Sequence, residues 1–354
     1  MSNALLINCP ITIRSRKDPR VIYEGDEFSN TPLGLLYIAA NLRKEGFGVT
    51  VLDPTPEDLC VEDIIERIEY QKPILIGLSV MTSGIRAAVE LAAGIKKTFG
   101  DRPLICIGGP HVNSDPEFVN RFPNFDFAIA GEAELTMAEL ARAVEQGERP
   151  RGVIYARPID DLDQLPFPAR DLVDIMAYYR PEANKKALPT ATMVMSRGCP
   201  FHCIFCSRPV FRRTLRVRSP KNVVDEMGSI AEAHGRRFSF VDDTLTLHRE
   251  AIIGICDEIM KRRLKFKWMG MTRATCLDDA VAKKLRMAGC DDLFIGVESG
   301  NERIRNQIIK KNVPDGAIFN AIKICRRNDI HTNIFLILGF PTETQKEIND
   351  TITF

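Results

Sequence analysis

Short apolar runs alternate with stretches of helical spacing along most of the chain. In the first half, residues 4–9, 48–53, 74–79, 104–108 and 125–130 read as strands. Residues 33–44, 61–70, 85–99 and 135–146 repeat apolar side chains at helical spacing, with a short helix at 116–121. This alternation predicts a doubly wound parallel sheet with helices on both faces, whose strand ends carry the ligand crevice.

Residues 148–190 break the rhythm. A turn cluster, Gly147-Glu-Arg-Pro-Arg-Gly152, and a proline-rich acidic stretch near 160–168 read as a linker between two domains, 1–147 and 191–354. The alternation then resumes. Strands are expected at 192–196, 237–241, 266–270, 292–297 and 332–338, and helices at 220–234, 249–263, 278–288, 301–309 and 315–328.

Composition adds little beyond limits. The chain has 354 residues, 45% hydrophobic and 27% charged, with a net charge of +1, so no global field favours nucleic acid or a membrane. The sequence shows no 18-residue apolar run and no secretory leader pattern, so neither a membrane span nor a signal peptide is expected. Ten cysteines without a leader point to a reducing, cytoplasmic setting.

The chemistry concentrates at Cys199, Cys203 and Cys206, spaced C-x3-C-x2-C. Three thiolates this close can ligate three corners of an iron–sulfur cluster and leave one iron open for a ligand. The competing reading is zinc, with His202 as a fourth ligand. Adjacent ligands at 202 and 203 diverge on a short loop, which favours the cluster.

The run Thr192-Met-Val-Met-Ser-Arg-Gly-Cys-Pro-Phe-His-Cys-Ile-Phe-Cys-Ser207 resembles the cluster loop of radical S-adenosylmethionine (SAM) enzymes. Four later segments resemble that family in the same order. They are Arg218-Ser-Pro-Lys-Asn-Val-Val-Asp-Glu226, Phe240-Val-Asp-Asp-Thr-Leu-Thr246, Gly296-Val-Glu-Ser-Gly300 and Phe335-Leu-Ile-Leu-Gly-Phe-Pro-Thr-Glu343. The resemblance implies a TIM-like (β/α)6 barrel, of which five strands are present, so the barrel is expected to be truncated after the fifth and to expose an edge strand. It also implies a [4Fe-4S] cluster on the three cysteines, with SAM chelating the open iron and yielding a 5′-deoxyadenosyl radical.

Candidate SAM contacts follow from the resemblance, each beside a plainer alternative. Asp242 and Asp243 take the methionyl ammonium or cap a helix. Arg273 pairs with the SAM carboxylate or lies at the surface. Glu298, with Ser299, holds ribose hydroxyls or forms a turn. Gly339 and Glu343 contact adenine or form a strand-to-helix turn. Phe201 and Phe205 shield the cluster or pack the loop. Cys256, Cys276, Cys290 and Cys325 read as buried, inert thiols.

The first half resembles the cobalamin-binding domain fused to such enzymes, in Thr31-Pro-Leu-Gly-Leu-Leu-Tyr-Ile-Ala-Ala40, Gly46-Phe-Gly-Val-Thr-Val-Leu-Asp53, Gly77-Leu-Ser-Val-Met-Thr82, Gly108-Gly-Pro-His-Val-Asn113 and Asp126-Phe-Ala-Ile-Ala-Gly-Glu-Ala-Glu134. It implies cobalamin contacts at Ser79, Thr82, Gly108, Gly109, His111, Gly131 and Glu132. The Asp-x-His-x-x-Gly motif that supplies an axial histidine is missing. His111 either ligates cobalt or makes a loop contact.

Together these imply a cobalamin-dependent radical SAM enzyme, with cobalamin as methyl carrier for C-methylation of an unidentified small molecule or peptide. A flavodoxin or ferredoxin would supply the electron. The alternatives are a cobalamin-dependent cyclase or ring-rearranging enzyme, a tRNA methylthiotransferase with a second cluster on Cys9, Cys60 and Cys106, and a cobalamin-binding sensor.

Overall fold

The computed structural model describes residues 2–16, 30–178, 190–207, 211 and 213–354. The chain forms two compact units. One spans Met1–Asp160 and Gln164–Leu188, the other Asp161–Asp163 and Pro189–Phe354.

The first unit is a six-stranded, all-parallel sheet. Its strands are β1 (Asn3–Asn8), β2 (Gly48–Leu52), β3 (Leu75–Ser79), β4 (Leu104–Gly108), β5 (Phe127–Ala130) and β6 (Gly152–Tyr155), in the order β2-β1-β3-β4-β5-β6. Leu5, Leu6 and Ile7 of β1 are buried on both faces, as expected of a central parallel strand covered by helices on each side. Helices Leu33–Lys44 and Ala133–Glu145 share one hydrophobic layer, and Ile85–Phe99 and Val61–Gln71 share the other. The strand order reverses between β1 and β3, which puts the ligand crevice of such sheets at their carboxyl ends.

β6 corrects the linker expected at 148–190. Gly152–Tyr155 pairs with β5 from Phe127↔Gly152 to Ala130↔Tyr155 and belongs to the sheet. Four residues between a glycine turn and a proline carry too short an apolar pattern to stand out. The helix at Arg170–Leu172 then packs back on this unit, where the Ala169 amide donates to Leu36 O at 3.1 Å. Residues 179–189 of that stretch lie outside the described residues.

The second unit is built on five parallel strands in sequential order. They are β7 (Ala191–Met193), β10 (Arg237–Phe240), β11 (Lys267–Thr272), β12 (Cys290–Glu298) and β13 (His331–Leu336); β8 (Ser196–Arg197) and β9 (Arg216–Val217) form a small antiparallel pair. Helices follow β9, β10, β11 and β12, and their apolar faces close over Met193, Phe240, Trp268, Leu293 and Ile295. Each start signal is local. Ser219 caps the helix Pro220–Ala233 by accepting from the Asn222 amide, with proline at its first position. Asp278 caps Asp279–Met287 by accepting from the Val281 amide. The expected strand at 192–196 divides into β7 and β8, and the expected helix at 301–309 is a π-helix, Arg303–Ile308. β13 lies at the edge, with Ile334, Phe335 and Leu336 exposed.

Candidate functional site

Cys199, Cys203 and Cys206 line one wall of a cavity of about 160 Å³ at the carboxyl ends of the second unit's strands. Phe201 and Phe205 belong to the same wall. The cavity is also lined by Asp243 and Thr244 after β10, Thr272 and Arg273 at the end of β11, Gly296 and Glu298 on β12, and Lys311. Cys199 and Cys203 are buried, Cys206 is exposed, and none is in a disulfide.

The cysteine loop is held from below. The Asp242 carboxylate accepts from the Met195 amide at 3.1 Å, and from the Ser196 amide at 2.6 Å and hydroxyl at 2.5 Å. Burial pushes its pKa up to about 6, against those hydrogen bonds, which favour the charged form. Asp242 thus aligns the strand that enters the loop, and the cavity wall carries Asp243 instead. It caps no helix either, since His248 caps Arg249–Lys261. Arg218 Nη1 donates to Val194 O at 2.8 Å and pairs with Glu226 at 2.5 Å, both side chains buried.

β12 ends in a bulge. Its register against β13 shifts between Gly296 and Glu298, and Glu298 has φ 68°. A bulge re-aims a side chain, and the Glu298 carboxylate meets Lys311 Nζ at 2.9 Å with both side chains 8% exposed. A Cβ on Gly296 would stand 2.5 Å from Glu298 Oε1 and 2.9 Å from Lys311 Nζ, so the missing side chain makes room for the pair.

The π-helix positions Lys311. Arg305 within it is fully buried, with Nε on Val313 O at 2.7 Å and Nη1 on Ser299 O at 2.7 Å, and pairs with Asp315. Lys311 and Arg305 were missed from the sequence. The only cue was a basic pair, Lys310-Lys311, which reads as a solvated turn.

Arg273 is buried, which corrects the surface alternative. Its guanidinium lies 4.0 Å over the Phe201 ring, with Nη1 4.0 Å from Cys203 Sγ and Nη2 donating to Lys311 O. Ser299 is fully buried and its hydroxyl meets Thr351 Oγ1 at 3.1 Å, so it ties down the turn. Glu343 accepts from the Gly339 amide at 2.6 Å and the Phe340 amide at 3.0 Å, closing the strand-to-helix turn on itself. Cys256, Cys290 and Cys325 are buried in the barrel core, while Cys276 is partly exposed.

Three thiols on one wall of an open cavity fit a cluster held at three corners. Among the described residues, no three His, Cys, Asp or Glu side chains, these cysteines included, are gathered closely enough to hold a metal ion, so the fit rests on their spacing and their common cavity. Cys9, Cys60 and Cys106, expected for a second cluster, come from three different elements. They sit after β1, at the start of helix Val61–Gln71 and within β4, all buried.

The first unit brings Ser79, Thr82, Gly108, Gly109, His111 and Gly131 to the carboxyl edge of β3, β4 and β5. Gly109 has φ 93°, and a Cβ there would stand 2.7 Å from the Val80 amide nitrogen. Asn113 crosses the edge, donating to Gly109 O at 2.9 Å and accepting from the Gly131 amide at 2.6 Å. The small residues at this edge fit a flat macrocycle lying on backbone. His111 Nδ1 is 3.3 Å from Thr82 Oγ1, and its Nε2 is buried without a hydrogen-bond partner, edge-on to Phe118 at 4.8 Å. Burial lowers its pKa. Glu132 is buried, and its carboxylate accepts from the Ile159 amide at 3.4 Å.

Two family models match the chain: the radical SAM superfamily over residues 193–354 and the B12 binding domain over residues 20–141. A Pyrococcus horikoshii protein named an uncharacterized methyltransferase is 32% identical over 340 residues, 91% of this chain and 72% of that protein. The anaerobic magnesium-protoporphyrin IX monomethyl ester cyclase of Rubrivivax gelatinosus is 29% identical over 90% of this chain and 61% of its own length. Among solved structures, the cobalamin-dependent SAM radical enzyme OxsB, with aqua-cobalamin and SAM bound, superposes over 100% of this chain and 51% of its own at a TM-score of 0.81 and 20% identity. The radical SAM methyltransferase TsrM from Kitasatospora setae covers 100% of this chain and 70% of its own at 0.77 and 19% identity. These two likenesses establish the shared fold, and the chain spans about half to about 70% of the lengths it matches. The chain belongs to the radical SAM superfamily and carries a B12-binding domain ahead of its radical SAM domain.

Proposed function

We propose that the chain is the catalytic part of a cobalamin-dependent radical SAM methyltransferase. The observation that carries this reading is one cavity lined by Cys199, Cys203 and Cys206 together with Glu298, Lys311 and Arg273. The three cysteines would hold a [4Fe-4S] cluster, which when bound supplies the electron that cleaves SAM. Every other part is the protein's own. Asp242 fixes the approach of the loop through Ser196. Asp243 lines the cavity, and its carboxylate suits an ammonium group. Glu298, already paired with one cation, offers its second oxygen to ribose hydroxyls. The phenyl rings of Phe201 and Phe205 exclude water beside the thiols.

In the first unit, Ser79, Thr82, Gly108, Gly109 and Gly131 would form the cobalamin edge, with the cobalt taking no histidine from this chain. The electron would come from a flavodoxin- or ferredoxin-type reductant. An oxygen-sensitive cluster and ten free cysteines suit a reducing compartment. No helix among the described residues is long and apolar enough to cross a membrane.

A second reading, a radical cyclase, is favoured by the 29% identity to the Rubrivivax gelatinosus protein over 90% of the chain. Product analysis separates the two. Protein loaded with iron, sulfide and cobalamin is incubated with SAM and a strong reductant under anaerobic conditions. Both 5′-deoxyadenosine and S-adenosylhomocysteine are expected from a methyltransferase. 5′-Deoxyadenosine alone would support the cyclase, and neither product would end both readings.

A further inference from the structure

The cysteine loop is gripped by two cations. Arg273, from the end of β11, stacks 4.0 Å over Phe201, and Lys311 stands 5.9 Å from the centre of the Phe205 ring. Between them the Ile204 amide donates to Ile309 O at 3.1 Å. Arg273 anchors the other side of that contact, since Nη2 donates to Lys311 O and to Asn312 O, and Nε meets Thr275 Oγ1 at 3.0 Å. Three of its contacts, Phe201 and the carbonyls of 311 and 312, thus converge on the loop and its support, and its remaining nitrogen, Nη1, lies 4.0 Å from Cys203 Sγ.

The charges of the two cations differ in their balance. Lys311 is neutralised by Glu298 at 2.9 Å. Arg273 contacts carbonyls, a hydroxyl, a ring and a thiol, and among the described residues no carboxylate lies within ion-pair distance of it. It is 6% exposed, so water screens its charge weakly. A guanidinium with its donors spent on backbone is poorly placed to turn toward a substrate carboxylate. It is well placed to act on the sulfur beside it.

We propose that Arg273 is a positioning residue for the cluster: it locks Cys203 in place through Phe201 and the 311–312 carbonyls, and its uncompensated charge raises the cluster's reduction potential. Charge and hydrogen bonding near the sulfurs are among the levers that set such potentials. A fixed positive charge stabilises the more negative, reduced state, so its removal makes the cluster harder to reduce. The proposal rests on the cluster assignment above, and differs from a role in binding the SAM carboxylate.

The test is an anaerobic redox titration of the full chain, reconstituted with iron and sulfide, followed by electron paramagnetic resonance. Wild type, R273K and R273Q are compared, with iron content measured for each. Wild-type protein that takes up no iron would defeat the cluster assignment itself. With wild type loaded, R273Q is expected to need a lower potential for half reduction. A shift of 59 mV corresponds to a tenfold smaller reduction constant for one electron, and a change on that order is expected. R273K keeps the charge but not the planar fork of donors, so its midpoint should stay near wild type while its iron loading falls. Less iron in both variants than in wild type would support the locking role. An unchanged midpoint in R273Q, or full iron loading in both variants, would overturn the proposal.

Discussion

Lys311 Nζ and Glu298 Oε1 form a buried ion pair at 2.9 Å in the lining of the cavity at the end of β12. Removing one member leaves a buried charge without its partner, which typically costs 3–5 kcal/mol, whereas replacing both is often near neutral. Glu298→Gln is therefore expected to destabilise the second unit by about 3 kcal/mol, and Glu298→Gln with Lys311→Met to recover most of that loss. Urea unfolding of the single and double variants measures it. Equal destabilisation in both would show that the pair acts independently of charge balance.

The first unit should carry its own pH signature. Asp53, at the end of β2, is buried, and burial pushes its pKa up to about 6 despite hydrogen bonds from Asn8 and Tyr178. A carboxyl raised in the folded state holds its proton longer there than in the unfolded chain. Its contribution to stability is thus full below about pH 4, falls as pH rises toward 6, and is constant above. The wild type should lose about 3 kcal/mol over that window relative to Asp53→Asn. Denaturant titrations of both proteins between pH 4 and 8 give the comparison, and parallel curves would rule the effect out.

Thiol labelling should sort the cysteines by burial. Cys206 is exposed, whereas burial raises Cys9 and Cys256 to about 12 and Cys290 well above the ordinary thiol value. Iodoacetamide on folded, iron-free protein should modify Cys206 at least tenfold faster than Cys256 or Cys290, because only the thiolate reacts. Comparable rates would mean that the barrel core opens readily.

Gly109→Ala tests the small-residue edge of the first unit. The positive φ and the 2.7 Å approach to the Val80 nitrogen both resist a side chain. The variant should lose about 2 kcal/mol of stability and bind hydroxocobalamin at least tenfold more weakly. Thermal unfolding and equilibrium dialysis follow the two effects separately. Normal affinity in a stable variant would place cobalamin elsewhere.

Much of this architecture was legible in the chain because its signals are local. The apolar runs of β1, β3 and β4 and the helix Ile85–Phe99 have boundaries that a proline, glycine or polar residue marks. The cysteine triplet was legible because its ligands are consecutive in sequence. β6 escaped because four residues beside a glycine turn carry no period of their own. Lys311 escaped because its partner, Glu298, is brought to it by a bulge and a π-helix, and neither has a sequence signature. Asp242 and Glu343 were placed near the right loops with a ligand role and a cap or turn role side by side, and backbone amides occupy both. A carboxylate at a strand end looks the same in sequence whether it serves a ligand or a turn.

The most direct test of the whole account is metal content. Wild type and a Cys199→Ser/Cys203→Ser/Cys206→Ser variant are reconstituted anaerobically with iron, sulfide and hydroxocobalamin, desalted and assayed with their ultraviolet–visible spectra. The account expects about four irons and about one cobalt in the wild type, and in the variant the loss of iron with cobalt retained. Iron retained by the variant, or absent from the wild type, would contradict a cluster at these cysteines.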